Sequence, residues 1–195
     1  MGDTVTVDYE EDGVASVLRY AAVGALVFQG AHLIEHVAQL AYWFSHPTQT
    51  PWLTPWAAEG RDLLAVGGEG AIGNELLHMV GNLIFLGGLF ALVVLCRKAG
   101  RTSDEFPHLR TAVLVQSLHV VEHVALTTTS LIYGRAVGAS TFLGLVDGPV
   151  MTSTRIWFHF LLNLVASWYA ARALAEMNTG GLIIRRPRPA AALGH

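Results

Sequence analysis

One pattern of amide, imidazole and carboxylate side chains occurs twice in the sequence, each time inside a long apolar run. The first copy is QGAHLIEHVA from Gln29 to Ala38, and the second is QSLHVVEHVA from Gln116 to Ala125. Both read Q-x-x-H-x-x-E-H-V-A. At about 100° per residue, the four polar positions of each copy fall on one face of a helix. Ionisable side chains inside an apolar helix are costly, so both copies are candidate functional sites.

A second, shorter pattern is also duplicated. The segments HMVGNL, from His78, and HFLLNL, from His159, both read H-x-x-x-N-L, and each follows one copy of the longer pattern. The chain is therefore an internal repeat of two helical hairpins. Positions within the apolar runs put all six histidines at similar depths, so we expect them to meet in the outer half of one bundle.

These side chains suit a transition-metal site, because neutral imidazole is a common metal ligand and an i, i+4 pair directs two nitrogens to one ion. The expected metal ligands are His32, Glu35, His36, His78, His119, Glu122, His123 and His159. Side chains suited to orienting them are Gln29, Glu75, Asn82, Gln116 and Asn163. Nitrogen-rich ligation favours Fe, Cu or Zn, as one or two ions.

The composition is that of a membrane protein. Hydrophobic residues make up 52% of the 195 and charged residues only 14%, whereas soluble domains carry about 25% charged residues. The single cysteine excludes an internal disulfide and a multi-cysteine metal site. The sequence has no basic patch large enough to indicate nucleic-acid binding, and its acidic N-terminus argues against a cleaved signal peptide.

Four apolar runs are each long enough to cross a bilayer, which needs about 20 residues. They cover about 14–44, 71–96, 111–133 and 156–177. The runs predict an all-α fold, a four-transmembrane-helix bundle made of two parallel pseudo-symmetric helical hairpins. We expect one membrane domain over 1–195, with repeat one at about 14–98, repeat two at about 108–178, and polar N-terminal and basic C-terminal tails.

The connections between the runs orient the bundle. Residues 46–70 are predicted to form a Trp-rich loop on the membrane surface, and 134–154 a surface or re-entrant loop. Basic residues concentrate between runs two and three and in the tail, at Arg97, Lys98, Arg101, Arg110, Arg185, Arg186 and Arg188. The positive-inside rule then predicts a multi-pass protein of the cell inner (plasma) membrane with both termini cytoplasmic.

Several functions are compatible with such a site. The leading hypothesis is a metal-dependent membrane oxidoreductase acting on a small or membrane-dissolved substrate, with an electron-transfer partner. The alternatives are a metal-ion carrier, a haem-binding membrane cytochrome, and a structural protein whose buried polar network only joins helices. The apolar stretches after Asn82 and Asn163 favour a closed site over a transport path.

Two stretches carry a resemblance to known proteins. They are Q-x-x-H-x-x-E-H-x-x-Q-L, beginning at Gln29, and G-N-E-x-x-H-x-x-G-N, beginning at Gly73. Together they resemble small, mostly actinobacterial integral membrane proteins of uncharacterised function. The resemblance covers the four apolar runs, and it implies a four-helix membrane fold with shared histidine patterns. In the second repeat, Leu126 stands where the first has Gln39.

Overall fold

The computed structural model describes residues 13–47, 49, 52–180 and 182–183. Every regular element in these ranges is helical, which confirms the all-α class. The elements are α1 (Gly13–Ser45), α2 (Pro55–Leu64), α3 (Gly70–Lys98), α4 (Pro107–Tyr133) and α5 (Gly148–Thr179). Short 3-10 segments cover Val66–Gly68, Ser103–Glu105 and Ala139–Gly144.

Two connections differ from the sequence-based prediction. The stretch 46–70 contains the ten-residue helix α2, whose first residue Pro55 has the fixed φ that a helix start requires. Helix α5 begins at Gly148, so the end of the predicted 134–154 loop is helical. The polar N-terminal tail at 1–12 and the arginines of the C-terminal tail lie outside the described residues.

The four long helices form a closed ring. Helix α1 packs against α3 and α5, α4 packs against the same two helices, and α2 lies on α3. One half of the interior is an apolar core that includes Phe85, Leu89, Leu92, Leu109, Ala112, Ala166, Ala170, Ala173 and Met177. The other half holds the polar side chains of the repeated patterns. The site is therefore closed off by a packed apolar layer on one side.

The outward faces of the long helices are apolar. Each exposes large hydrophobic side chains, among them Val17 and Val27 on α1, Phe90 on α3, Leu118 on α4 and Trp168 on α5. Among the described helices, α1 and α3 are long and apolar enough to cross a membrane. Helices α4 and α5 carry more polar residues, which lowers their mean hydropathy. Many of those residues face the interior, so the outward faces stay apolar.

Helices α1 and α3 approach each other closely where Gly88 lies against Ala25. A Cβ atom at Gly88 would stand 2.3 Å from the Cβ of Ala25, whereas one at the neighbouring Gly87 would meet nothing within 4 Å. Small residues at such crossings allow membrane helices to pack backbone to backbone.

We expect Gly88→Ala to lower the free energy of unfolding by about 1–3 kcal/mol, because the two helices must separate to admit the methyl group. Gly87→Ala is the matched control, and it should be neutral or stabilising by up to about 1 kcal/mol, since alanine favours the helix. Thermal unfolding of the detergent-solubilised protein measures both. Equal melting temperatures for the two variants would contradict the described crossing.

Candidate metal centre

Six histidines from the four long helices form one contiguous cluster. Neighbouring rings have centroids 4.6–6.3 Å apart across nine pairs. The members are His32, His36, His78, His119, His123 and His159. All but His32, which is half-buried, are buried. The structure thus brings together the six imidazoles that the sequence patterns singled out.

Each copy of the longer pattern supplies a pair of facing imidazole nitrogens. The Nε2 atoms of His32 and His36 are 3.1 Å apart, and those of His119 and His123 are 3.2 Å apart. As hydrogen bonds, these contacts need one Nε2–H in each pair. As ligand pairs with bonds of about 2.0–2.1 Å, they would subtend about 100° at one ion, which is close to tetrahedral. The one-turn spacing is thus already near metal-binding geometry.

The histidines of the shorter pattern are oriented by their own helices. The Nδ1 of His78 lies 2.9 Å from the carbonyl oxygen of Asn74, and the Nδ1 of His159 lies 2.9 Å from that of Arg155. A carbonyl only accepts, so these contacts assign the proton to Nδ1 in both rings. Both Nε2 atoms then keep a lone pair, the tautomer that a metal ligand needs.

The amide side chains form a separate layer next to the histidines. The Nε2 of Gln29 donates to Oδ1 of Asn163 at 2.8 Å, and the Nε2 of Gln116 donates to Oδ1 of Asn82 at 2.8 Å. Both asparagines also donate to the carbonyl of the histidine one turn earlier, at 2.8 and 2.9 Å. Among the described residues, no side chain of this layer bonds to an imidazole, so the amides join helices and brace the two histidine-bearing turns.

The two glutamates of the longer pattern are buried, and their hydrogen bonds go to loop residues rather than to the histidines. Glu122 accepts hydrogen bonds from the amide of Ala139 at 2.7 Å and from the amide and hydroxyl of Ser140 at 2.9 and 2.6 Å. Glu35 accepts from the amide of Thr54 at 3.0 Å and from its hydroxyl. Neither carboxylate contacts a cluster imidazole by a hydrogen bond in the described part of the chain. Their role here is to hold the loops that contain Thr54 and Ala139 against the bundle.

Gln39 connects one of these carboxylates to the cluster. Its Oε1 lies 3.2 Å from Nδ1 of His36, and its Nε2 donates to Oε1 of Glu35 at 3.2 Å. Sequence reasoning did not include Gln39 in the site, although it lies on the same helix face as His36. Leu126 takes the corresponding place in the second repeat, and Nδ1 of His123 is buried without a hydrogen-bond partner among the described residues.

One subset of the cluster is compact enough to hold an ion. His119, His123 and His159 each offer a nitrogen, and these atoms lie within 4.8 Å of one another. Buried Nδ1 of His119 and Nε2 of His159 also have no partner in the described structure. Ring centroids of the two halves are at similar distances, 5.6 and 5.5 Å from His78 to His32 and His36, and 5.7 and 4.7 Å from His159 to His119 and His123. Among the described residues, the nitrogens of the second-half group are the ones that lie close enough together to hold an ion, so this group is the better candidate.

A cavity of about 400 Å³ opens beside the cluster. Four cluster histidines line it, namely His36, His78, His123 and His159. Glu75 and Arg155 also line it, and they form an ion pair of 2.5 Å between α3 and α5. The sequence analysis included Glu75 in the site but not Arg155. The position of Arg155, a charged residue one helical turn before His159, could have indicated that it belongs there. The candidate centre thus has an access chamber with a charged wall.

The matching family model covers residues 12–180, which include all four long helices, and is described as a family of unknown function, DUF6008. The chain belongs to this family. The predicted resemblance to a family of uncharacterised function is thereby confirmed, and its actinobacterial distribution stays a prediction. No curated protein and no solved structure matches the chain.

The loop contacts of Glu122 lead to a testable expectation. Glu122→Gln keeps the shape of the side chain but replaces one carboxylate oxygen by an NH₂ group, which would face the N–H and O–H donors of Ala139 and Ser140. The variant should therefore lower the free energy of unfolding by about 1–3 kcal/mol. It should also speed hydrogen exchange in 138–144. Exposed Glu59, changed to Gln, is the control and should leave both properties unaltered. Unchanged exchange in Glu122→Gln would show that this carboxylate does not hold the loop.

Proposed function

We propose that the chain is a four-span membrane protein that holds one or two transition-metal ions in its histidine cluster and uses them for redox chemistry. The observation that carries this proposal is the buried group of His119, His123 and His159, with ligand nitrogens within 4.8 Å of one another. Such a three-imidazole group leaves further coordination positions for a substrate. A bound transition ion would supply electron transfer or oxygen chemistry.

The facing Nε2 atoms of His119 and His123, together with the unpaired Nε2 of His159, favour a metal over a purely structural network. A polar network that only joins helices gains stability by satisfying its members, and buried groups without partners cost about 1–3 kcal/mol each. The amide layer meets this requirement only in part, because Nε2 of Gln29 and Nε2 of Gln116 each bond to an asparagine while their buried Oε1 atoms have no partner in the described structure. His119, His123 and His159 each keep a buried nitrogen without a partner in the described structure. Ligation through Nε2 would use the unpartnered atom of His159, whereas His119 and His123 would ligate through the Nε2 atoms that face each other.

The near-duplicate contacts of the two halves support a second ion and a pseudo-twofold axis along the membrane normal. The imidazole pairs of α1 and α4 match within 0.1 Å, at 3.1 and 3.2 Å. His78 and His159 donate to equivalent carbonyls at 2.9 Å each. The second ion would use His32, His36 and His78, and we expect it to bind more weakly than the first because His32 is only half-buried and so open to competing water.

The haem and carrier alternatives fit the geometry less well. Axial histidines stand on opposite faces of a porphyrin, whereas these rings contact one another directly, with His123 and His159 stacked at 4.7 Å. A carrier needs a polar path onward through the bilayer. Beyond the amide layer, the described interior is closed by packed apolar side chains, including Phe85, Leu89 and Leu92. A metal centre that is closed on one side, and that exchanges substrate and electrons at one membrane face, fits this geometry better than a haem protein or a carrier does.

Metal analysis tests the proposal. The double variant His123→Ala with His159→Ala should lose the more tightly bound ion, because it leaves one ligand of the compact group. His32→Ala with His36→Ala should remove only the weaker ion. His46→Ala is the control, since this histidine lies outside the cluster and bonds to the carbonyl of Tyr42. Elemental analysis of purified, folded protein gives the content, and full retention in the first double variant would refute the centre.

The proposed topology has its own test. The apolar outward faces of all four long helices support four spans, and the basic α3–α4 connection favours cytoplasmic termini. In a Cys96→Ala background, Trp56→Cys should react with a membrane-impermeant maleimide in intact cells. Thr102→Cys should react only after permeabilisation, because it lies at the opposite end of the bundle. The reverse pattern would invert the orientation, and equal labelling of both in intact cells would contradict the bilayer-spanning arrangement.

A further inference from the structure

Gln39 connects the histidine cluster to a buried carboxylate, and the second repeat has no polar residue in its place. Its Oε1 lies 3.2 Å from Nδ1 of His36, and its Nε2 donates to Oε1 of Glu35 at 3.2 Å. Gln39 is only 6% exposed. The corresponding residue of the second repeat is Leu126, whose side chain has no polar atom. The two halves of the cluster are therefore supported differently, although they contain the same histidines.

The backbone amide of Thr54 determines the direction of both hydrogen bonds. Its nitrogen lies 3.0 Å from Oε1 of Glu35, and because an N–H group can only donate, this Oε1 is an acceptor. Gln39 must then turn its NH₂ group toward Glu35, which leaves its own carbonyl oxygen for His36. A carbonyl oxygen only accepts, so Nδ1 of His36 carries the proton. The tautomer of this ring thus follows from a backbone group that has one possible role.

This tautomer leaves Nε2 of His36 with its lone pair. That atom faces Nε2 of His32 at 3.1 Å, in the pair that would hold an ion of the first half. His78, the third histidine of this half, has its proton placed on Nδ1 in the same way, by the carbonyl oxygen of Asn74. Two of the three imidazoles therefore present a lone pair at Nε2 before any ion binds, and this is the form that ligation through Nε2 requires.

The second half lacks the support that Gln39 gives to the first. The Nδ1 atoms of His119 and His123 are both buried, and neither has a hydrogen-bond partner among the described residues. Their Nε2 atoms face each other at 3.2 Å, so one of them carries a proton. No contact in the described part of the chain decides which ring that is. In this half, a neighbouring carbonyl places the proton of His159 but not those of the facing pair.

We propose that Gln39 is a positioning residue of the metal centre, which holds His36 in the Nδ1–H tautomer and so prepares this ring to ligate the first-half ion. The inference rests on the proposed function, in which that ion binds to His32, His36 and His78. Removing the hydrogen-bond partner of a ligand's second nitrogen typically lowers metal affinity by about 10–100-fold. Gln39 thereby strengthens the half of the cluster in which one ligand, His32, is only half-buried.

Nitrogen NMR of metal-free protein with labelled histidine rings tests the tautomer. We expect a protonated Nδ1 for His36, whose signals are those that His36→Ala removes. Gln39→Met keeps the side-chain length without the hydrogen bonds, and Gln39→Leu installs the residue of the second repeat. Both should shift His36 toward the Nε2–H form, because a buried N–H without an acceptor is costly. The signals of His159, whose proton is placed by its own helix, should stay unchanged. An unaltered His36 tautomer in either folded variant would overturn the proposal.

Calorimetric titration of chelator-treated protein with Zn²⁺ separates this inference from the proposed function. In Gln39→Met, the weaker of the two dissociation constants should rise about 10–100-fold while the tighter one stays unchanged. Gln49→Met is the matched control, since this exposed glutamine bonds to Tyr42 and not to the cluster.

The combined outcomes distinguish the two failures. A shifted tautomer with both dissociation constants unchanged would overturn the positioning role. A shifted tautomer in protein that binds no Zn²⁺ would reject the metal centre but support the control of His36 by Gln39. Two bound ions with an unaltered tautomer in Gln39→Met would support the centre and reject the role of Gln39.

Discussion

The arrangement of this bundle depends on the rule that a polar group in an apolar interior must find a partner. The structure meets the rule in separate ways for each class of side chain. The amides pair with amides, with Gln29 on Asn163 and Gln116 on Asn82. The carboxylate of Glu122 pairs with loop amides. Three of the nine buried atoms that are left without a partner among the described residues are imidazole nitrogens, and their rings, those of His119, His123 and His159, lie together.

The amide layer also explains why both repeats are needed. Gln29 belongs to the first hairpin but bonds to Asn163 of the second, while Gln116 of the second bonds to Asn82 of the first. Within its own hairpin, neither glutamine has the asparagine to which it donates. Each hairpin can therefore form these buried hydrogen bonds only when it packs against the other hairpin. Reciprocal bonds of this kind join membrane helices with a defined register. The register in turn sets the depth at which the histidines of α3 and α5 meet those of α1 and α4.

The parts of this architecture that sequence reasoning could predict are those encoded by local periodicity. Spacings of three, four and seven residues show which face of a helix turns inward, and the duplication shows that two such faces combine. The amphipathic α2 was missed because Pro, Trp and Gly around it are also typical of loops. The loop-binding role of Glu122 and the ion pair of Glu75 with Arg155 depend on contacts across 17 to 80 residues of chain. No periodicity encodes such contacts, so they appear only in the folded structure.

Two differences between the repeats lie next to the histidine cluster. One is in the lining of the cavity, and the other is Gln39, which contacts His36 and has Leu126 as its counterpart in the second repeat. Asn74 and Glu75 of the first repeat correspond to Arg155 and Ile156 of the second, and these four residues all line the chamber. Strict symmetry would have placed two like charges on facing walls. Instead, one acid and one base from opposite repeats, Glu75 and Arg155, form an ion pair in the lining of the chamber. The duplicated inner parts thus keep the same histidines in both repeats, while the diverged residues make the wall of the chamber asymmetric. A substrate of the proposed centre would therefore meet different side chains from the two repeats.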